Sequence, residues 1–431
     1  MAALTQSFVS KLVLSACIAG GLSLGAARAT AQTTSVELND ENALVRYALS
    51  HNLDLRSAHW DQDVASAGVS SASALSNPVA RGEWLHVQSP NDYGFGLGLD
   101  WAPPQPGVYG AGKEAARARV RAVKSDFRER AAELEAGVRL GYARVAILEQ
   151  EIALAEQSVG TRRSVHQAVK ERMAHGAASR IDLSLAAVSL ARGEQERDLL
   201  VLSRATAVSQ LEALLGLPVD QTLDLKAGAP ESDAADAKTS AAALEQRAVL
   251  QRPVLRADAA RADAAEQTAS AERAKRWPWL ELQARYRRHD QSNYPDDVTL
   301  GLEVTLPIFN QNPGPIAAAE ASRRQWQDVA AAHRSGIEHE VRALHAESER
   351  RREIAEHYAQ SIAPVLGEHA ALVKQALAGM ELDLTALLSA EDLVTRGGIE
   401  YLEARLAQRQ AQIALARALG QYGQAGGAGS Q

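Results

Sequence analysis

Apolar residues recur with two different periods along this chain, and each period predicts a different kind of element. In one segment the steps are three or four residues, which is typical of a long helix with one apolar stripe. The stripe comprises Val138, Tyr142, Val145, Leu148, Ile152, Ala155 and Val159. The theme continues in a returning helix, through Leu199, Leu202, Val208, Leu211 and Leu215. Because no proline occurs from about 112 to 174, we predict a continuous rod of about 60 residues, about 90 Å long.

Elsewhere apolar and polar residues alternate strictly, and this pattern predicts strands with one apolar and one polar face. The alternating positions are Leu85 and Val87, then Phe95, Leu97, Leu99 and Trp101, and in the second half Leu280, Leu282, Ala284, Tyr286, Val298, Leu300, Leu302, Val304 and Leu306. We therefore predict two strand pairs, at about 81–102 and 279–307. Such lengths fit tilted strands crossing a bilayer, although half-buried strands of a soluble domain show the same alternation.

The order helix, strand pair, long helix and returning helix occurs twice, at an offset of about 200 residues. Pro78 and Pro278 follow the first helix of each copy, and Gly176 and Gly379 follow the long segments. We predict a first repeat at 32–215, a linker at 216–240 that packs around the waist of the molecule, a second repeat at 241–421 and a flexible tail at 422–431. Pro364 should kink the second long helix.

The N-terminal residues have the pattern of an export signal. Lys11 precedes an apolar stretch from Leu12 to Ala27, and Ala29-Thr30-Ala31 is a small-residue cleavage site. We predict that residues 1–31 are a removed signal peptide; a retained anchor and lipidation at Cys17 are the alternatives. Cleavage after Ala31 removes two cationic residues and no acid, which changes the net charge from −7 to −9.

Composition narrows the functional classes. The 431 residues would suffice for about three globular domains, but an aromatic content of 4% favours thin layers of helices over thick cores. A net charge of −7 argues against a nucleic-acid partner. Since no catalytic or phosphate-binding motif occurs, we predict no enzymatic activity, no cofactor and no metal site. The spacings among the second-half histidines, His333, His339, His345, His357 and His369, do not suit shared metal binding, so we expect solvated helix faces.

Four strands cannot close a membrane barrel, because the smallest single-chain barrels have eight. If these strands span a membrane, the barrel must be shared between subunits, and three chains would supply twelve strands. The expected fold class is therefore mainly α with a small β part, internally duplicated.

An exported, duplicated chain of this form resembles the TolC family of outer-membrane efflux channels over about residues 40–421. The segment from Leu306 to Ala319, LPIFNQNPGPIAAA, is similar to the strand-to-helix corner of CzcC-type members, which serve heavy-metal efflux. Its counterpart from Trp101 to Lys113 is similar more loosely. The corner residues implied by the resemblance are Pro103, Gly112, Pro307, Phe309, Asn310 and Gly314.

The turns between long helices resemble the periplasmic tips of this family, where adaptor docking and the channel aperture are located. The tip residues implied are Gly176, Ser179, Arg180, Asp182, Gly379, Glu381 and Asp383. Asp182 matches an acidic aperture residue of the family prototype, whereas Glu381 stands at the position of its arginine partner. Thr385 and Ser389 stand near positions of the prototype's acidic ring. Local chemistry alone favours helix capping for Ser179 and Asp182.

The alternation assigns the remaining candidate residues to two faces of the barrel. The expected lumen residues are Asp100, Glu281, Arg285, Arg287 and Glu303, and the expected lipid-facing residues are Leu97, Leu99, Trp101, Leu300, Leu302 and Val304. The resemblance implies a homotrimer in the outer membrane, in which a trimeric twelve-stranded β-barrel is continued by an α-helical barrel. This homotrimer would contact the membrane lipid and extend into the periplasm. It further implies an adaptor (membrane fusion) protein and an inner-membrane RND pump as partners. The expected cargo is divalent cations of the cobalt, zinc and cadmium class; organic solutes are the nearest alternative, and a soluble periplasmic coiled-coil scaffold or adaptor is the alternative of a different class.

Overall fold

The computed structural model describes residues 34–37, 40–86, 93–225, 239–289, 295–379 and 384–423. The predicted signal peptide and most of the predicted tail lie outside the described residues. In chain order the elements are β1 (Thr34–Glu37), α1 (Glu41–His51), α2 (Leu53–Ala72), β2 (Val79–His86), β3 (Tyr93–Trp101), α3 (Pro106–Ala174), α4 (Arg180–Leu215), β4 (Gln221–Asp224), α5 (Ala241–Gln251), α6 (Pro253–Ala274), β5 (Trp279–His289), β6 (Asp297–Thr305), α7 (Pro313–His357), a π-helical turn (Tyr358–Ile362), α8 (Ala363–Gly379) and α9 (Leu384–Ala418).

The two halves repeat one order of elements: two short helices, a strand pair, a long helix and a returning helix. Local chemistry sets the same boundaries in both halves. The Asn52 side chain caps α2 by accepting from the amide of Leu55 at 2.9 Å, and Pro253 begins α6 at a position that needs no amide donor. The returning helices end at Gly216 and Gly420, whose φ angles of 73° and 71° suit glycine. The predicted fold class, mainly helical with a small sheet, is confirmed.

The first long helix, α3, has 69 residues and is therefore about 104 Å long. It begins at Pro106, six residues before the predicted start. The second long segment is interrupted, as Pro364 predicted. The π-helical turn ends just before that proline, and the amide of Ala363 donates to the carbonyl of Tyr358 five residues earlier. The wider turn accommodates Pro364, which lacks an amide hydrogen and has a bulky ring.

The four long strands form one antiparallel sheet in the order β2-β3-β5-β6, so the strand pairs of the two halves join through β3 and β5. A second, parallel pair links β1 to β4. This pair was not predicted, and β4 lies inside the segment 216–240 that was predicted to be a linker. Each member has only four residues, too few for a period to be recognised.

The helices continue the sheet as a wall one helix thick. In it α2 packs on α3, α3 on α6 and α6 on α7, which is the same lateral order as the strands that these helices precede or follow. The largest buried cluster lies where α1 meets α3 and α4, and it includes Leu44, Val138, Tyr142, Leu148, Leu211 and Leu215. Leu199 and Leu202, predicted to continue the buried stripe, are instead 55% and 63% exposed, because α4 turns that side away from α3.

Candidate functional site

The register of the four-stranded sheet sorts its side chains onto two faces. Leu97 and Leu99 on β3 lie opposite Tyr286 and Ala284 on β5, and Ala284 lies opposite Leu300 on β6. Leu302, Val304 and Trp101 share this apolar face, as their alternation predicted. In the protomer the face is open, since Leu97, Leu300 and Leu302 are 52%, 81% and 62% exposed. A broad, continuous apolar surface of this kind needs an apolar environment or a partner.

On β2 the alternation predicted the wrong phase. Leu85 was predicted to lie on the apolar face, but the register pairs Leu85 with Gly94 and pairs Trp84 with Phe95. Trp84 therefore supplies the apolar face, and its ring meets that of Phe95 edge-on at 6.4 Å between centroids. Val87, the other predicted position, lies outside the described residues. The error arose because Ala80 and Gly82, which share the face of Trp84, carry little apolar signal.

The opposite face holds all five residues predicted for the lumen. Successive cross-strand rows on it contain Glu281 with Glu303, then Gln283 with Asp100, then Arg285 with Arg81, then Arg287 with Glu83 and Asp297. The row nearest the helices is therefore acidic, whereas acidic and basic residues share the row at the far end of the sheet. Arg81 Nε lies 2.7 Å from Asp100 Oδ2, and the Asp100 side chain is only 3% exposed. The assignment of this face to a lumen remains a prediction.

The strand-to-helix corners are fixed by side-chain hydrogen bonds. Trp279 Nε1 donates to the carbonyl of Pro103 at 2.5 Å, and Asn312 Nδ2 donates to Glu272 at 2.5 Å. Asn312 has a φ of 60°, the one positive value among the described non-glycine residues. Phe309, three residues before Asn312, is fully exposed.

Several predicted corner residues lie along the sharp bend between β6 and α7, namely Pro307, Phe309, Asn310 and Gly314. Gly314 already belongs to the first turn of α7. Gly112 does not lie at a corner: it is inside α3, because the helix begins at Pro106. Pro103 does belong to its corner, between β3 and α3.

The turn between α3 and α4 is a compact capped hairpin tip. Gly176 has a φ of 73°, and Ser179 and Asp182 form a reciprocal capping box. The amide of Ser179 donates to Asp182 Oδ2 at 2.8 Å, and the amide of Asp182 donates to Ser179 Oγ at 3.1 Å. The first of these hydrogen bonds is the main reason that the pKa of Asp182 lies below its ordinary value. Arg180, the first residue of α4, is exposed beside this box.

The second tip joins α8 to α9. Gly379 is the last residue of α8, whereas Glu381 and Asp383 lie outside the described residues. Near the tips the two helix pairs share a small apolar cluster, formed by Val165, Val169, Ala186, Val373 and Leu387. This cluster holds the two hairpins side by side. The roles predicted for the tip residues in docking or in an aperture remain predictions.

Farther from the tips, a buried ion pair joins the hairpins. Arg162 on α3 donates from Nε to Glu391 Oε2 on α9 at 2.8 Å, and the two side chains are 4% and 7% exposed. Ser158 and Thr395 both donate hydroxyl hydrogens to the other carboxylate oxygen of Glu391. Arg162 and Ser158 on α3 are 229 and 233 residues away from Glu391 in the sequence, so local sequence patterns could not reveal these contacts.

About three turns before Arg162 on α3, Glu151 is buried and forms no ion pair with any residue that the structure describes. It is 3% exposed, and its Oε1 has no hydrogen-bond partner. Burial raises its pKa from 4.5 to about 6; the charge of Arg144 opposes this shift, and that of Glu403 on α9 adds to it. The interface of α3 and α9 therefore contains one satisfied and one unsatisfied carboxylate.

The second-half histidines differ from the expectation of uniformly solvated faces. His333 Nδ1 lies 2.6 Å from Asp258 Oδ2, and that aspartate is completely buried. His345 is only 12% exposed and lies 3.8 Å from Glu349. Within the described ranges no group of three or more potential ligands is arranged to hold a metal ion.

Both lateral edges of the wall are unpaired in the protomer. Strands β2 and β6 form the outer edges of the described sheet, and α2 and α7 form the outer edges of the helical layer. On α2 an exposed apolar stripe runs through Leu53, Trp60 and Val64, at steps of seven and four residues, and each of these side chains is at least 58% exposed. The open edges of the sheet and those of the helical layer therefore lie on the same two sides of the protomer.

The described helices include none that is both long and apolar enough to span a membrane. A sheet with one apolar face, continued by helical hairpins about 100 Å long, is a fold that this chain shares with solved outer-membrane channels. The chain is similar to CusC, described as undergoing conformational changes on folding and transmembrane channel formation, with a TM-score of 0.71 and 20% identity over 90% of this chain and 93% of that one.

Two further channels have the same fold. The outer membrane protein VceC of Vibrio cholerae aligns with a TM-score of 0.72 and 18% identity over 88% of this chain and 96% of its own. The MtrE outer membrane channel of Neisseria gonorrhoeae aligns with a TM-score of 0.70 and 18% identity over 88% of each chain. At these identities the likeness establishes the fold.

The sequence itself carries a family signature. The model of the outer membrane efflux protein family matches residues 44–217, so most of the first repeat is similar to this family. No curated protein sequence matches the chain. The predicted outer-membrane location is confirmed at the level of the family, since the matched family and the structural neighbours are outer membrane proteins. The CzcC-type resemblance is a more specific prediction, and these matches do not confirm it.

Proposed function

We propose that this chain is the outer-membrane channel of a tripartite efflux system and acts as a passive conduit. The observation that carries the proposal is the two-faced sheet whose open edges coincide with the open edges of the helical wall. An unpaired strand edge is a strong site for pairing with another chain. When one edge of each subunit pairs with the other edge of the next subunit, the contacts are heterologous, and a suitable rotation between subunits closes them into a ring.

Three copies would give a barrel of twelve strands, with the apolar face toward lipid and the charged face toward the lumen. The strands of 8, 9, 11 and 9 residues suit tilted strands of a membrane barrel. The exposed stripe on α2 would then be covered by α7 of the neighbouring copy. The hairpin tips, at the opposite end of the wall from the sheet, would meet a periplasmic adaptor and, through it, an inner-membrane pump of the RND type.

For cargo we propose divalent heavy-metal cations of the cobalt, zinc and cadmium class. The support is the resemblance of the corner from Leu306 to Ala319 to CzcC-type channels. Organic solutes are the alternative cargo. A soluble scaffold or adaptor is less well supported, because in the described ranges the strands outside the four-stranded sheet amount to the short β1–β4 pair, and an adaptor would need a lipoyl-like β domain.

The class of protein is tested by fractionation and electrophoresis. We expect the protein in outer-membrane extracts as a trimer that dissociates on heating, whereas recovery only from the soluble periplasmic fraction would refute the channel. Cargo is tested with a deletion strain exposed to zinc, cobalt, cadmium and a dye. Increased sensitivity to the metals alone supports metal cargo, and increased sensitivity to the dye alone supports organic cargo.

A further inference from the structure

The second hairpin, formed by α8 and α9, has an irregular place in each of its two arms at one level. The π-helical turn from Tyr358 to Ile362 leads into α8, and a helix can bend at such a turn. On α9 two adjacent glycines, Gly397 and Gly398, lie in the helix interior, where glycine lowers helix stability. The hydroxyl of Tyr358 donates to Glu400 Oε2 at 3.4 Å, so the two irregular places lie side by side.

The same glycines let α9 approach its neighbours closely. A Cβ atom at Gly398 would lie 2.5 Å from Cδ2 of Leu154 on α3, and one at Gly397 would lie 2.8 Å from Cδ1 of Leu366 on α8. A larger residue at either position would therefore push α9 away from its neighbour. The seam between α3 and α9 is tightly closed at this level.

Glu151 lies inside this seam, about one turn of α3 before Leu154. On the side toward the sheet, the seam consists of the apolar residues Ala143, Ile147, Leu402 and Leu406. On the side toward the tips, it contains the ion pair of Arg162 and Glu391. Glu151 is 3% exposed, and its Oε1 has no hydrogen-bond partner among the described residues. An ionised carboxylate buried in this way destabilises the closed seam.

The charged groups around Glu151 do not compensate for its burial. Arg144 on α3 attracts the carboxylate, but Glu403 on α9 repels it. Cations of the neighbouring helices are engaged elsewhere: Arg204 of α4 with Glu149, Arg409 of α9 with Glu41 of α1, and Arg405 of α9 with the ring of Tyr401.

We propose that the seam at Glu151 is a pH-sensitive joint of the second hairpin. When Glu151 is protonated, α9 stays closed on α3; when Glu151 is ionised, a local opening that brings its carboxylate into water is favoured. The glycines of α9 and the π-helical turn before α8 allow both arms of the hairpin to bend at this level. The joint lies within one copy of the chain, so the inference goes beyond the proposed function and does not depend on it.

The size of the effect follows from the pKa of Glu151, which burial raises from 4.5 to about 6 in the closed seam. In an open seam the carboxyl group is in water and regains its ordinary pKa. The closed seam therefore loses stability as the pH rises from about 4.5 to 6. Between pH 5 and pH 7.5 the ratio of open to closed seam should rise about eightfold.

Hydrogen exchange of backbone amides, followed by mass spectrometry on the full-length protein in detergent, measures this ratio. Each rate is divided by the rate of an unstructured chain at the same pH. The corrected exchange of residues 395–403 on α9 should rise about eightfold from pH 5 to pH 7.5, whereas that of α6, outside the seam, should change little. In Glu151→Gln the corrected exchange of residues 395–403 should be the same at both pH values.

Glu156→Gln is the matched control, because Glu156 is an exposed carboxylate on the same helix. We expect the wild-type dependence on pH in this variant. Equal corrected exchange at both pH values in the wild type would overturn the inference, as would an undiminished pH dependence in Glu151→Gln. An equal rise in α6 would also overturn it, since the whole fold would then be loosening. A protein that forms no trimer would contradict the proposed channel and would still give this test a result.

Discussion

The buried contact between Arg162 and Glu391 makes a sharp prediction about how the two hairpins are held together. Replacing Arg162 with Met keeps most of the side-chain volume but leaves Glu391 buried with only the hydroxyl groups of Ser158 and Thr395 as donors. Removing one partner of a buried ion pair typically costs about 3–5 kcal/mol. We therefore expect Arg162→Met to lower the thermal stability of the helical part strongly.

The reverse change should cost less, because Arg162 has more than one partner. In Glu391→Gln the guanidinium keeps the carbonyl of Ser189 at 3.1 Å and the carboxylate of Asp392 at 3.5 Å. Loss of one charged hydrogen-bond partner then costs about 1.5–3 kcal/mol. The double variant Arg162→Met/Glu391→Gln should recover part of the loss caused by Arg162→Met, since no buried charge remains unpaired.

Circular dichroism at increasing temperature, on the detergent-solubilised trimer, measures these differences as shifts of the unfolding midpoint. The predicted order of stability is wild type, Glu391→Gln, double variant, Arg162→Met. Arg163→Met provides a control, because Arg163 is 62% exposed and pairs with Glu194 at the surface, where such pairs contribute about 0–1 kcal/mol. If Arg162→Met is no less stable than Arg163→Met, the reasoning about the buried pair is refuted.

Three further predictions concern the helices. Because the pKa of Glu151 is raised to about 6, the folded state holds its proton more tightly than the unfolded state, and the free energy of unfolding falls as the pH rises from about 4.5 to 6. Glu151→Gln should therefore add about 2 kcal/mol to the free energy of unfolding at pH 7.5 and little at pH 4, as measured by thermal unfolding. An equal gain at both pH values would contradict this. Gly216→Ala should destabilise more than Gly176→Ala by about 1–3 kcal/mol, since both glycines have a φ of 73° but only at Gly216 would the Cβ lie 2.8 Å from the carbonyl of His51; equal losses of thermal stability would exclude the steric term. Ser179→Ala should speed amide hydrogen exchange in the first turn of α4 about fivefold by removing the cap, and unchanged exchange there would contradict the capping role.

Much of the fold could be predicted because its elements are long and periodic. Alternation of apolar and polar residues predicted the positions of β5 and β6 and the face of each side chain. Pro364 predicted where the second long helix is interrupted by a π-helical turn. The start of α3 was placed six residues late, since Pro106 and three glycines after it look like a loop in sequence. The phase of β2 was wrong because only Trp84 marks its apolar face.

The contacts that hold the hairpins together could not be predicted from local patterns. Arg162 and Glu391 are separated by 229 residues, and nothing in the sequence near either of them distinguishes it from the many solvated charges on the same helices. Arg285 and Arg287 on β5 are an intermediate case. Their face followed from alternation, but their position opposite Gly98 and Gly96 depends on the register between β3 and β5.

The central claim is that the sheet faces lipid on one side and a lumen on the other, and a pair of adjacent substitutions tests it most directly. Leu302 and Glu303 are neighbours on β6 and lie on opposite faces. An arginine on the lipid face near the bilayer midplane costs about 2–4 kcal/mol per chain, and it is repeated in every copy. The measurement is the amount of heat-sensitive trimer in outer-membrane extracts. We predict that Leu302→Arg abolishes the trimer while Glu303→Arg retains it, and equal assembly of the two variants would contradict the account.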